Sequence, residues 1–296
     1  MSQASQPANS IDVTLPTGSR LYSASYSSLA NGVDGRLLRL LNAFASPERD
    51  IYQFGVFTGV GLKKIADSVK NCGHLWGFDS FQGIPEESAG EHESWRGTGA
   101  HSHFGRGGYS AAHALGTTSL RTAMSKVAGI VGHQERVSLI PGFFNESLNQ
   151  RLLRTSKLQP ALHVDMDADI YLSAAQALDW MFANRLLVPG SFLRYDDWPR
   201  FNASFGPAAG TNLFGQARAH YEISVKYDVR WKLVAKGAVQ VLSVGGRTCE
   251  PEVCDRAKPL RDIFVTNKHS GRDGRGVGIQ DPALLPIWGV EREGLS

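Results

Sequence analysis

The stretch Ile51-Tyr-Gln-Phe-Gly-Val-Phe-Thr-Gly-Val-Gly-Leu-Lys-Lys-Ile-Ala-Asp-Ser-Val69 decides the fold. Residues 51–57 are β-branched and aromatic and read as a strand. The run breaks at Gly55 and again at Gly59-Val60-Gly61, and residues 62–69 then place apolar side chains at helical spacing. A strand, a glycine-rich turn and a helix form the front half of a nucleotide-binding βαβ unit.

Outward from this unit the pattern repeats. Residues 74–79 (His-Leu-Trp-Gly-Phe-Asp) read as a second strand. Asp79 then lies about 20 residues past the turn, where an acid meets ribose hydroxyls in such folds. Strands are expected at 136–140, 161–166 and 191–195, and helices at 119–130, 146–157 and 173–187. Upstream, 34–45 reads as a helix with Asp34 as N-cap. Downstream, 213–225 reads as a helix, and 231–244 alternates around Gly237 as a hairpin. Strands alternating with helices predict an α/β, doubly wound sandwich with a C-terminal β-hairpin. Ligands of such sheets bind at the C-terminal strand ends, where Gly55, Gly59, Asp79, Gly142, Asp167, Asp196 and Asp197 fall.

The acids there are the chemical signal. His163-Val-Asp-Met-Asp-Ala-Asp-Ile-Tyr171 begins as an apolar strand and ends in Asp165, Asp167 and Asp169. Alternate strand residues share a face, so Asp165 and Asp167 are expected to point the same way. A second pair, Asp196-Asp197, ends the fifth strand. Crowded carboxylates need a compensating cation or donors. Two acidic strand ends point to a hard cation with oxygen ligands, such as Mg²⁺ or Ca²⁺. Asp169 reads as a helix cap or as an acceptor for backbone amides instead, and His163 as a core histidine.

The remaining sequence sets bounds. With 296 residues, 42% hydrophobic and 20% charged, the chain suits one large soluble domain. A net charge of +3 without basic runs argues against a nucleic-acid partner. No apolar run reaches membrane-spanning length, and the first ten residues do not read as a signal peptide. Cys72, Cys249 and Cys254 read as ordinary thiols of a reducing cytoplasm. Residues 1–30 read as a loose arm able to pack on a neighbouring copy in a homo-oligomer, 31–266 as one domain and 267–296 as a flexible tail. Residues 83–117, with His92, His101, His103 and His113, are irregular enough to be a lid. Trp95 and Phe104 there read as stacking or anchoring residues.

Four stretches resemble the macrocin O-methyltransferase family. Gln53-Phe-Gly-Val-Phe-Thr-Gly59 is similar to its cofactor turn, and Trp76-Gly-Phe-Asp-Ser-Phe-Gln-Gly-Ile-Pro-Glu86 to its Gly-Phe-Asp-Ser-Phe-Glu-Gly-Leu-Pro signature. Asp167-Ala-Asp-Ile-Tyr171 resembles its Asp-x-Asp-Leu-Tyr motif. Pro189-Gly190 with Asp196-Asp-Trp198 resembles the ending of its fifth strand. The resemblance implies a Rossmann-like methyltransferase that uses S-adenosylmethionine and Mg²⁺ on sugar hydroxyls. It implies cofactor contacts from Gln53, Gly55, Val56, Thr58 and Gly59, and further ones from Asp79, Ser80, Phe81, Gly142 and Asp165. Asp167, Asp196 and Asp197 are implied as metal ligands, with Asp167 as the catalytic one. Gln53 departs from the family's acid, and Asp165 stands where the family more often has a basic or imidazole residue.

The expected function is methyl transfer to a hydroxyl of a sugar or glycosylated natural product. A catechol-type O-methyltransferase and a non-catalytic binding protein on the same fold are the alternatives. A nicotinamide-linked oxidoreductase fits less well, because the turn reads Gly-x3-Gly-x-Gly.

Overall fold

The computed structural model describes residues 35–86, 106–196, 215–235 and 237–250, with Val13–Thr14, Arg20–Leu21, Cys254 and Phe264–Val265. The elements in order are α1 (Gly35–Phe44), β1 (Asp50–Phe54), α2 (Val60–Ser68), β2 (Leu75–Asp79), α3 (Ala111–Ala114) and α4 (Leu120–Val131). They continue with β3 (Val137–Pro141), α5 (Phe144–Ser147), α6 (Gln150–Thr155), β4 (Ala161–Met166), α7 (Tyr171–Ala183) and β5 (Phe192–Tyr195). After these come α8 (Gly215–Lys226), β6 (Val229–Ala235), β7 (Ala238–Val244), β8 (Arg247–Thr248) and β9 (Phe264–Val265).

One nine-stranded sheet runs in the order β9-β6-β7-β5-β4-β1-β2-β3, with β8 paired to β7. Strands β1 to β5 are mutually parallel. The hairpin closes the sheet antiparallel, and its second strand, β7, lies between β5 and β6. The chain order reverses between β1 and β4, which opens a crevice at their C-terminal ends. The expected α/β doubly wound sheet with a terminal hairpin is therefore present.

Both faces of the sheet are covered. Tyr52, Phe54, Phe78, Val164 and Met166 face α7 and α8 in one core. Ile51, Leu75, Leu162 and Phe192 face α1, α2 and α4 in the other. This is why the parallel strands carry apolar residues on both faces, with polar interruptions such as Gln53, Asp165 and Arg194. The helix α7 buries Ala174, Ala177, Leu178 and Met181 together with Tyr171, Ser173, Trp180 and Phe182. The reason is α8, which packs on it.

Several boundaries differ from the sequence reading. The first helix after the glycine turn starts at Val60, because Gly59 at φ 89 already serves as its N-cap. The helix expected over 146–157 splits into α5 and α6, because the Asn149 side chain accepts from the Leu152 N–H and starts a new helix. Within the expected lid, Ser110 caps the short α3. Residues 87–105, with His92, Trp95, His101, His103 and Phe104, lie outside the described residues, as does the tail from Asn267. In the expected loose arm, Val13–Thr14 pairs antiparallel with Arg20–Leu21.

Cys249 and Cys254 form a disulfide, against the expectation of two thiols. Both cysteines follow β8, Cys254 N–H donates to the Glu250 carbonyl at 3.0 Å, and the two positions five apart in sequence stand at a Cα separation of 6.0 Å. Cys72 stays free. So short a closed loop restricts the unfolded chain by only about 2 kcal/mol. Reduction is expected to lower the unfolding free energy by that amount without a change in fold, checked by urea denaturation with and without reductant. No helix among the described residues is long and apolar enough to cross a membrane.

Candidate active site

A cavity of about 550 Å³ lies at the C-terminal ends of all five parallel strands. Gly55 follows β1, Asp79 ends β2, Gly142 follows β3, Asp167 follows β4 and Asp196 follows β5, and all five line it. Its size lies within the ordinary range for small-molecule sites.

The floor is made by the glycine turn. Gly55 has φ 87, and a Cβ there would stand 1.8 Å from the Asp167 carbonyl oxygen. The backbones after β1 and β4 thus pass at a distance that only glycine allows. Gly59 does a different job. A Cβ there would meet Val131 and Val127 of α4, so this glycine admits helix packing and does not line the cavity.

Asp79 anchors the turn. Its Oδ2 accepts from the backbone N–H groups of Val56 and Phe57, both at 2.7 Å, and its Oδ1 accepts from Phe81 N–H. Burial pushes its carboxyl above the usual range, while the three N–H donors favour the charged form. The residue read as a ribose contact thus also ties together two of the loops around the cavity. Ser80 lines the cavity and donates its hydroxyl proton to the Gly83 carbonyl at 2.8 Å.

Gln53, Val56, Thr58, Phe81 and Asp165 do not line the cavity. Gln53 is buried beneath the start of α2, where a Cβ on Gly61 would come within 3.0 Å of its Nε2. Val56 and Phe81 serve through their backbone N–H groups on Asp79. Asp165 is 2% exposed and paired at 2.5 Å with Arg194, its register partner on β5. Arg194 also pairs with Asp196. Burial works against the Arg194 charge, yet Asp165 and Asp196 together hold it above its ordinary value. Arg194 was missed in the sequence, where it reads as a polar interruption of an apolar strand.

Other lining residues were also missed. Phe57 and Tyr109 meet edge to face at 6.1 Å, and both line the cavity. Leu172, Ser173 and Gln176 of α7 and Phe143, Phe144, Asn145 and Glu146 after β3 form further wall. The spacing of Leu172 and Gln176, four apart just after an acidic strand end, was the available signal. Asp169 lines the cavity with φ 58. The N-cap of α7 is Ile170, without a side-chain cap bond, so Asp169 does not occupy the capping position expected of it.

Asp79, Glu86, Glu146, Asp167, Asp169 and Asp196 line the cavity, and no lysine, arginine or histidine does among the described residues. Such a lining favours a cationic ligand. Asp167 and Asp196 stand at the ends of neighbouring strands, and hard carboxylate oxygens fit Mg²⁺. Asp197, the third acid of that set, lies outside the described residues. Among the described residues no group of three His, Cys, Asp or Glu side chains is placed to hold a metal.

The chain is similar to several solved structures. An O-methyltransferase from Bacillus cereus in complex with SAH is 16% identical, covering 72% of this chain and 83% of that one, with a TM-score of 0.36. The O-methyltransferase TomG from Streptomyces achromogenes, involved in tomaymycin synthesis and in complex with SAM, is 18% identical. The match covers 71% of this chain and 81% of that one, with a TM-score of 0.39. At these scores the likeness carries no argument, and the fold rests on the strand order above. No curated protein matches the sequence significantly. The sequence model described as macrocin-O-methyltransferase (TylF) matches residues 40–207, more than half of the chain and all five parallel strands. The chain accordingly belongs to the macrocin-O-methyltransferase (TylF) family of S-adenosylmethionine-dependent O-methyltransferases.

Proposed function

We propose that this chain methylates a hydroxyl of a sugar or glycosylated natural product, with S-adenosylmethionine as donor and Mg²⁺ as an essential ion. The observation that carries this reading is the meeting of the glycine floor and two acidic strand ends in one cavity. Gly55, Asp79, Ser80 and Gly142 are the side on which the donor binds. Asp167 and Asp196, with Asp197, are the residues that would hold the ion. When bound, the ion stabilises the developing negative charge on the acceptor oxygen.

The chain's own residues supply position and charge. The acceptor oxygen attacks the methyl carbon in line with the sulfur, and the carbon–sulfur bond breaks as the oxygen–carbon bond forms. The sulfonium charge is lost, and neutral adenosylhomocysteine leaves. The hydroxyl proton passes to the carboxylate wall, where Asp169 and Glu146 are not among the residues that would hold the ion. Phe57, Tyr109 and Phe144 offer apolar faces to a ring. Asn145, Glu146, Ser173 and Gln176 offer acceptors and donors to neighbouring hydroxyls. The same reading takes the chain as one domain over 31–266, without a nucleic-acid partner.

Replacing Asp167 with asparagine tests it. Methyl transfer is expected to fall about 100-fold or more, since an ion of this kind contributes several kcal/mol. Adenosylhomocysteine binding, read by calorimetry, should persist. Undiminished turnover in Asp167→Asn, or in excess chelator, rejects the metal role.

A further inference from the structure

The two acidic strand ends are held differently. Asp196 is gripped by Arg194 of its own strand, two residues earlier and therefore on the same face. Arg194 Nη2 donates to Asp196 Oδ1, and Nη1 donates to Asp165 Oδ1 at 2.5 Å. Arg194 and Asp165 are 6% and 2% exposed, and neither lines the cavity. A buried, charge-neutral pair therefore stands behind a cavity carboxylate.

Stability is a weak reason for such a pair, because desolvating two charges offsets most of their attraction. One register step back on the same face, His163 lies opposite Phe192, and no ion pair is needed there. What a guanidinium adds is a planar fork able to fix two carboxylates at once. Asp165 cancels its charge, so the fork can orient Asp196 without leaving a net positive charge beside the cavity.

We propose that Arg194 is a positioning residue, which holds Asp196 Oδ1 so that the carboxylate is presented to a divalent cation in one orientation. The inference rests on the metal reading above and adds a residue to it. Asp165 is met by Arg194, its register partner on the next strand.

The test is Mn²⁺ binding to the full chain, followed by calorimetry and by the paramagnetic signal of the ion, beside adenosylhomocysteine binding. The double variant Asp165→Asn with Arg194→Gln keeps the buried site neutral and able to hydrogen bond. Removing an outer partner of a ligating carboxylate typically costs 10- to 100-fold, so Mn²⁺ affinity should fall roughly 10-fold. Adenosylhomocysteine affinity should stay unchanged, which shows that the fold is intact. Arg194→Lys keeps the charge and loses the fork, and should also weaken Mn²⁺ binding. If the double variant fails to fold, Arg194→Lys decides. Variants that bind Mn²⁺ as the parent does, or more tightly, overturn the positioning role alone. A parent chain that binds adenosylhomocysteine but not Mn²⁺ overturns the metal reading and this role with it.

Discussion

Gly55→Ala is expected to abolish cofactor binding and to destabilise the fold by about 2–5 kcal/mol. Two terms add. Alanine at φ 87 is in a left-handed conformation that costs about 1–2 kcal/mol. Its Cβ would also stand 1.8 Å from the Asp167 carbonyl oxygen and 2.7 Å from its carbon. Those are backbone atoms, so no side chain can turn away, and overpacking of this kind adds about 1–3 kcal/mol. The floor must move relative to Asp167. Displacements near 1 Å already cost about 100-fold in catalysis, so adenosylhomocysteine titration should show no binding at ordinary concentrations. Gly129→Ala is the control. Gly129 lies within α4 with nothing near the added Cβ, and alanine there should stabilise by up to about 1 kcal/mol. Equal urea midpoints for the two variants would contradict the close crossing at Gly55.

The second large effect is acid unfolding. His163 and His220 are buried, and burial lowers their pKa values to about 4 and about 3. His163 lies between strands, with neither ring nitrogen paired to a side chain. His220 Nδ1 meets the Tyr195 hydroxyl at 3.0 Å. Both are neutral when folded, whereas an unfolded histidine takes its proton near pH 6.5. Below that pH the unfolded chain binds two more protons, so stability is fully present above about pH 6.5 and is lost as the pH falls. Each proton contributes about 1.4 kcal/mol per pH unit, and the pair therefore costs about 5 kcal/mol by pH 4.5. Asp79 works in the opposite sense, since its raised pKa favours the folded state as the pH falls. The histidine contribution alone is comparable to the whole stability of many domains. Guanidinium midpoints should fall steeply between pH 6.5 and 4.5. His163→Leu should halve the slope, and an unchanged slope would mean that this histidine takes up its proton within the fold.

The framework was legible in the sequence because its signals are local. A glycine turn after an apolar run, a helix, and another strand ending in an acid can each be read within about ten residues. The five strand ends follow from that order through general topology. What the sequence hid depends on neighbours distant along the chain. Arg194 gains meaning only through Asp165, 29 residues earlier but adjacent across two strands. The burial of α7 depends on α8, which begins 32 residues after α7 ends. Asp79 is read correctly as a strand-end acid, but its three backbone donors come from loops whose conformations no pattern specifies. Cys249 and Cys254 look like chance thiols until the backbone after β8 sets their Cα atoms 6.0 Å apart. The irregular backbone at Phe57, Phe81 and Asp169, all with positive φ, likewise has no sequence signature in non-glycine residues.

The hairpin sets a timetable for the site. β5 carries Arg194 and leads directly into Asp196, but its free side is completed only by β7, where Tyr195 N–H donates to the Gly237 carbonyl and Arg194 stands opposite Ala238. During synthesis, residues 50–196 emerge first with β5 as an open edge that can pair with another chain. Only when Val244 has left the ribosome can that edge be covered. Strand β7 thus acts as a completion mark, and a chain stopped before it should fail as an aggregate rather than as a partly active enzyme.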